Sequence, residues 1–313
     1  MIIDTHFHAF PQRFLDLYPS QARSDPRGIG FKGFDPAFYL SVMDQYGVDV
    51  GVLSNTGGRI EHDGDRQRAL ESCRVLNDGF GEAHAQYPHR FKFFARPPML
   101  DMDDCARELR RAVDELGADG VSLPTNVAGH YLDEPQFAPF WEELGRIGKP
   151  FFLHPTNAPC EANWSVYSMH QRMFWPADST LALSRIVYSG LLDRHPNVPI
   201  IASHLGGMVL NYLDRVNWWE GNPQCKEQPE SYFRKLYYDT AGPVRAPFIK
   251  MACDTVGADQ IIFGADYPHG REGRDDQFYP MTLQAMQELQ VSDADKEKIY
   301  WRNAKRLFGF AEG

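Results

Sequence analysis

Nothing in this sequence offers a polyanion a landing surface: its 313 residues carry a net charge of −10, and no Lys/Arg-rich stretch interrupts that balance. Nucleic-acid binding draws on released counterions and needs such a stretch, so no nucleic-acid partner is expected. Also missing is any run approaching about eighteen apolar residues, the length a membrane-spanning helix requires, so no membrane is expected either. The opening Met-Ile-Ile-Asp-Thr-His has neither the basic nor the apolar segment that directs secretion, which gives a cytoplasmic expectation. Cysteine is sparse and unpatterned. Cys73, Cys105, Cys160, Cys225 and Cys253 are odd in number and never spaced as CxxC, so they read as reduced structural thiols. No Gly-rich phosphate turn follows the first apolar run, where His8-Ala-Phe-Pro stands instead. That absence argues against an open dinucleotide-binding sheet.

What the chain does have is alternation. Short apolar runs at Ile2–His6, Val48–Ser54, Phe91–Arg96, Gly120–Pro124, Pro150–His154, Pro199–His204, Leu236–Thr240 and Gln260–Asp266 are bounded by Gly, Pro, Asp or Asn, as buried parallel strands are. Between and after them lie amphipathic patterns over Pro36–Tyr46, Asp65–Gln86, Met102–Leu116, Gln136–Ile147, Ser179–Asp193, Gly207–Trp218, Ala246–Val256 and Ala294–Phe308. Eight βα units in this length predict an α/β fold, a closed (β/α)₈ TIM barrel, formed as one domain over residues 1–313. Two connections are long, Pro11–Asp35 after strand one and Pro155–Asp178 after strand five. Loops of that length are usually lids or binding loops.

The chemistry concentrates at strand ends. In an extended chain, residues two apart point the same way, so His6 and His8 can present two imidazoles to one point. An HxH pair alone is only moderately specific. His154, His204 and Asp266 then close apolar strands five, six and eight at their C-terminal ends, the face on which barrel enzymes keep catalytic groups. Five such residues predict a metal site with His6, His8, His154 and Asp266 as ligands. Three imidazoles and a carboxylate suit Zn²⁺, with Mn²⁺ or Fe²⁺ as alternatives, whereas calcium and magnesium prefer oxygen shells. The fourth strand, Gly-Val-Ser-Leu-Pro, has no lysine to bridge a second ion, so one ion is expected. His204 reads as an acid/base beside the ion. Gly206-Gly207 is expected to open a helix whose N-terminus favours anions.

With those residues identified, the chain resembles the amidohydrolase superfamily, and within it the amidohydrolase 2 group typified by 2-amino-3-carboxymuconate-6-semialdehyde decarboxylase. The resemblance runs nearly end to end, through IIDTHFH, PHRFKFFARPPMLD, LGADGVSLPTNVAGHYLDEP, PFFLHP, ADSTLALSRIVYSGLLDRHPNVPIIASHLGG, YYDTAG, IIFGADYPHG and NAKRLFGF. It implies His6, His8, His154 and Asp266 as metal ligands and His204 as the catalytic histidine. One subgroup replaces HxH with an ExA-like pattern; retention of both histidines places this chain nearer the zinc-type branch. Relatives are commonly homodimers or larger, and the aromatic run Tyr212–Trp219 is either an interface or core.

Group membership leaves the reaction open. The first reading is a non-oxidative decarboxylase of a carboxylated aromatic or dienoic acid, a small-molecule carboxylic acid substrate, with proton delivery by Asp266 or His204. Phe10, Trp164, Phe174 and Trp175 are candidate apolar walls, and Arg96 and Arg172 candidate carboxylate clamps. The alternative is a hydrolase of a lactone, ester or related carbonyl compound, which draws on the same five residues. A non-catalytic binding barrel would need one of the five to be missing, and none is.

Overall fold

Eight short parallel strands carry the architecture of this computed structural model, which describes residues 1–18, 33–55, 60–61, 63–156, 166–218, 224–242, 244–269 and 278–310. They are β1 (Ile3–His8), β2 (Val50–Ser54), β3 (Phe91–Ala95), β4 (Gly120–Pro124), β5 (Phe151–His154), β6 (Ile200–Ala202), β7 (Tyr237–Asp239) and β8 (Ile261–Ile262). Each pairs with the next in chain order. Backbone bonds beyond β8 close the ring: Thr5 N donates to Phe263 O and Asp266 N to His6 O, both at 3.0 Å, and His8 N donates to Tyr267 O at 2.6 Å. The barrel read from the sequence is therefore the observed one, and the segment that seals it also carries Asp266.

Strand residues separate into two sets because alternate side chains face opposite sides. Ile3, Val52, Phe94, Phe152, Ile201 and Ile262 form one buried layer, to which Phe308 of the C-terminal helix is added. Phe94 stacks on Phe152 at 5.1 Å and meets Phe308 at 5.6 Å. The His6 ring stands edge-on to Phe152 at 5.0 Å, so this layer is the floor of the site. Residues of opposite orientation, such as Phe93, Phe151 and Leu153, pack outward in the larger cluster shared with the helices.

Where a capping signal was present, helix boundaries follow it. Asp35, Asp65 and Asp101 cap α1 (Pro36–Tyr46), α2 (Arg66–Gln86) and α3 (Met102–Asp114) by accepting first-turn N–H groups. α4 (Ala138–Ile147) ends at Gly148 in the left-handed region, and α6 (Ala246–Val256) keeps its expected limits. Other segments differ from expectation, among them short helices at Gln12–Leu17 and Pro229–Phe233. α5 runs Trp175–Tyr188 rather than from Ser179, because Pro176 is tolerated in a first turn, and it stops before Gly190 at φ 70. The helix expected from Gly207 is absent: Gly206 and Gly207 have φ of 71 and 70, and only a turn (Leu210–Tyr212) and a four-residue helix (Leu213–Val216) follow. A Cβ on Gly207 would lie 2.2 Å from Pro176 O and one on Gly206 2.8 Å from the Tyr238 ring, so these glycines serve close approach to α5 and β7, and no helix opens at Gly207. A further helix, α7 (Phe278–Glu288), had no counterpart in the sequence reading. No described helix is long and apolar enough to cross a membrane. Cys73, Cys105, Cys225 and Cys253 are free thiols, and Cys160 lies outside the described residues.

Candidate metal centre

Each of the three histidines on the barrel strands has one ring nitrogen already occupied. His6 Nδ1 pairs with Asp239 Oδ2 at 2.7 Å, His8 Nδ1 with Ser54 Oγ at 3.1 Å, and His154 Nδ1 with the Pro155 carbonyl at 2.7 Å. Every Nε2 is thereby turned the same way. His6 Nε2 and His8 Nε2 face each other at 2.9 Å, and Asp266 Oδ1 lies 3.2 Å from both. One ligand atom from each of His6, His8, His154 and Asp266 falls within 4.8 Å of all the others. His154 Nε2 and Asp266 Oδ1 are buried without a proper hydrogen bond. Orphaned buried polar atoms cost about 1–3 kcal/mol each, and four lone pairs aimed at one point suit a cation better than one another. Three imidazoles and one carboxylate are the donor set of zinc-type sites, so these residues fit a divalent ion.

Electrostatics agree. Burial pushes His8 down to about 3 and His154 well below the ordinary histidine value, so both stay neutral, as metal-binding imidazoles must. Burial opposes charge on His6 as well, but the Asp239 and Asp266 carboxylates outweigh it and carry His6 up to about 10. Burial alone would raise Asp266. His6, His269 and His204 reverse that and hold it well below the usual carboxylate range. The cluster therefore calls for one positive charge at its centre, and a bound cation would hold Asp266 lower still.

His204 stands beside the four and is not one of them. It follows β6 in a tight turn, with φ of 53 at His204 and 52 at Leu205. Its backbone N–H donates to Asp239 Oδ1 at 2.7 Å, and its Nε2 lies 3.5 Å from Asp266 Oδ2. Its side chain is 22% exposed, against 11% for Asp266 and 0% for His6, so solvent reaches the cluster past His204 and Asp266.

Three residues went unassigned in the sequence reading. Asp239 holds both the His6 ring and the His204 backbone. Its signal was available, since it ends an apolar strand in YYDTAG just as His154 does. Asp4 Oδ1 accepts the N–H groups of His6 and Ala265, at 3.0 and 3.1 Å, while Oδ2 accepts from Tyr279 OH at 2.6 Å. Asp4 so ties β1 to the Asp266 segment. Gly264 leaves room for His6 and for Asp239 behind it, because a Cβ there would lie 2.7 Å from the His6 Cβ and 3.3 Å from the Asp239 Cβ.

The expected substrate contacts divide. Trp175 lies beside the cluster, its ring centre 6.4 Å from that of His154, and Phe174 is half-buried next to it. Arg172 is exposed on the turn His170–Phe174, Phe10 is buried in the core, and Trp164 lies outside the described residues. Arg96, the other expected clamp, is already paired within the protein. It is buried, with Nη2 2.8 Å from both carboxylate oxygens of Glu61 and Nη1 donating to Pro97 O at 3.0 Å. A guanidinium committed in this way holds the β2–α2 connection against the end of β3.

Comparison with known proteins gives a family model and a set of relatives and solved structures. The model described as amidohydrolase matches residues 3–310. A γ-resorcylate decarboxylase from Polaromonas sp. strain JS666 is 32% identical over 287 residues, covering 86% of each chain. A 2-amino-3-carboxymuconate-6-semialdehyde decarboxylase from Dictyostelium discoideum is 27% identical over 248 residues, 77% of this chain and 69% of that one. Among solved structures, a dihydroxybenzoic acid decarboxylase from Polaromonas sp. JS666, with bound manganese and the inhibitor 2-nitroresorcinol, superposes with a TM-score of 0.82. That match has 28% identity and covers 100% of this chain and 98% of the other.

Proposed function

Because the chain belongs to the amidohydrolase family, we propose that it is a metal-dependent carboxy-lyase that removes CO₂, without oxidation, from a carboxylated aromatic or dienoic acid. One observation carries this reading: His6, His8, His154 and Asp266 converge on one point beside His204, in a chain similar over most of its length to decarboxylases. These four residues would hold one divalent ion, which when bound supplies positive charge that neutralises the substrate's carboxylate and orients it.

Release of CO₂ needs a proton at the carbon that bears the carboxylate. A C–H bond forms there, the C–C bond to the carboxylate breaks, and its electron pair restores the unsaturated system as CO₂ departs. His204 is best placed to deliver that proton, since it borders the open side of the cluster and its backbone is fixed by Asp239. Asp266, whose Oδ2 lies 3.5 Å from His204 Nε2, would steady that ring and share in the proton transfer. Trp175 and Phe174 supply apolar surface for the planar acid.

The same proposal covers the ion and the assembly. The donor set suits zinc, and manganese, the ion of the Polaromonas structure, is its rival together with iron. Tyr212 and Trp218 are 54% and 59% exposed, which supports a homodimer or larger assembly that sedimentation would reveal. The test of function is a screen of metal-replete protein against carboxylated phenols, muconate-type acids and lactones in ¹⁸O-water, read by mass spectrometry. Products lighter by CO₂ and free of label support the lyase. A label in a product carboxyl would establish a hydrolase instead.

A further inference from the structure

The first turns of α5 are tied to both sides of the metal centre. On the β5 side Asp178, 1% exposed, accepts from the Thr125 hydroxyl, from Asn126 Nδ2 at 3.3 Å and from Tyr131 OH at 2.5 Å. Thr125 in turn brackets the His154 segment. Its backbone N–H donates to His154 O at 2.8 Å, and its Oγ1 accepts from Thr156 N at 3.3 Å. On the His204 side, Thr180 Oγ1 accepts the Met208 N–H and donates to Pro176 O, both at 2.8 Å. Further along α5, Arg185 covers the Tyr131 ring at 4.7 Å while giving a hydrogen bond to Asp133. One helix therefore grips Tyr131 at its hydroxyl and at its face.

Stability alone does not call for a carboxylate here. Among the described residues no cation pairs with Asp178, and burial pushes its carboxyl above the ordinary aspartate value against the pull of its three donors. Burying a charge without a counter-charge is costly. What a carboxylate gives is acceptance alone, so three donors from the chain after β4 can close on it, which an amide of the same shape would not allow. Trp175 stands three residues before Asp178, on the same side of the helix, with its ring centre 6.4 Å from that of His154. We propose that Asp178 is a positioning residue for the reaction: seated on Thr125 and Tyr131, it holds the Trp175 ring against His154 and so sets how tightly a planar acid is bound. This rests on the lyase reading for the class of molecule that meets Trp175.

The test uses the full-length, metal-loaded protein and benzoate, a planar carboxylate with no electron-donating substituent to assist loss of CO₂. Calorimetry should show Tyr131→Phe and Asp178→Asn weakening benzoate about 3- to 10-fold, the worth of one hydrogen bond, with metal content unchanged. Thr125→Val should do the same, and Thr125→Ser, which keeps the hydroxyl, should recover most of that loss. In a Trp175→Ala background Asp178→Asn should weaken benzoate no further, because its effect travels through that ring. A lowered melting temperature with wild-type affinity for benzoate in Tyr131→Phe and Asp178→Asn would overturn the inference, since the network would then serve stability alone. So would additive losses in the double variant, or a parent protein that leaves benzoate unbound. The two readings fail separately. Coupled loss of benzoate binding without CO₂ release from any acid sinks the lyase reading alone. CO₂ release with benzoate affinity and KM indifferent to Tyr131→Phe and Asp178→Asn sinks this inference alone.

Discussion

At the residue scale, the centre works because three imidazoles have their Nδ1 atoms held by three different partners: a carboxylate, a hydroxyl and a carbonyl. The carboxylate does most, since Asp239 fixes the orientation of His6 and the backbone of His204 together. Partners of this kind tune metal affinity by about 10- to 100-fold. Asp239→Asn should therefore weaken metal binding by about that factor, measured by chelator competition, while circular dichroism stays that of the parent. An affinity equal to the parent's would show that Asp239 is only structural. His204 and His154 should part company. His204→Gln is expected to keep its metal and lose about 10²- to 10⁴-fold in kcat, the usual worth of a general acid. His154→Ala should lose the metal first, as elemental analysis of the purified variant would record.

At the element scale, two charge clusters fix elements around the barrel, one buried and one at the surface. Arg96 and Glu61 are 3% and 4% exposed, and breaking such a pair from one side costs about 3–5 kcal/mol because a charge is left stranded. Arg96→Met should lower stability by about that amount in denaturant unfolding, and Glu61→Leu added to it should restore much of the loss. Preserved stability with a raised KM would instead return Arg96 to the role of clamp. Between α3 and α4, Glu143 accepts from Arg110 at 2.6 and 2.8 Å and from Arg146 at 2.6 and 3.0 Å. The Arg110 hydrogen bond, against the cost of burial, leads in lowering Glu143 from 4.5 to about 2. A carboxyl with a depressed folded-state value contributes stability above its unfolded value and loses it as pH falls. Stability should thus drop between pH 4.5 and about 2, and Glu143→Gln should flatten that limb of the pH–stability curve. These elements also show what the sequence could tell. Strands and capped helices were legible because period and Asp caps are local signals. The turn after His204 was not, because Gly206 and Gly207 answer to contacts with α5 and β7 that are remote in sequence. Asp239 and Asp178 were in view as letters, but only the closed barrel sets one behind His6 and the other against the end of β4.

At the scale of the whole molecule, barrel closure and the metal site are one event. Asp266 reaches His6 and His8 only when the segment after β8 bonds to β1, through Thr5–Phe263, His6–Asp266 and His8–Tyr267. An ion bound across that seam stabilises the closed barrel by mass action, about 2.7 kcal/mol at a hundredfold excess over Kd. Chelation should therefore lower the melting temperature, and restoring the metal should raise it again. The most direct measurement of the central claim is the reaction of a carboxylated phenol with metal-loaded and chelated protein in D₂O, followed by mass spectrometry and ring-carbon NMR. The account predicts CO₂ release by the loaded protein only, with one deuterium on the carbon that carried the carboxylate. CO₂ release by fully chelated protein, or a loaded protein that opens lactones while leaving every such acid intact, would contradict it.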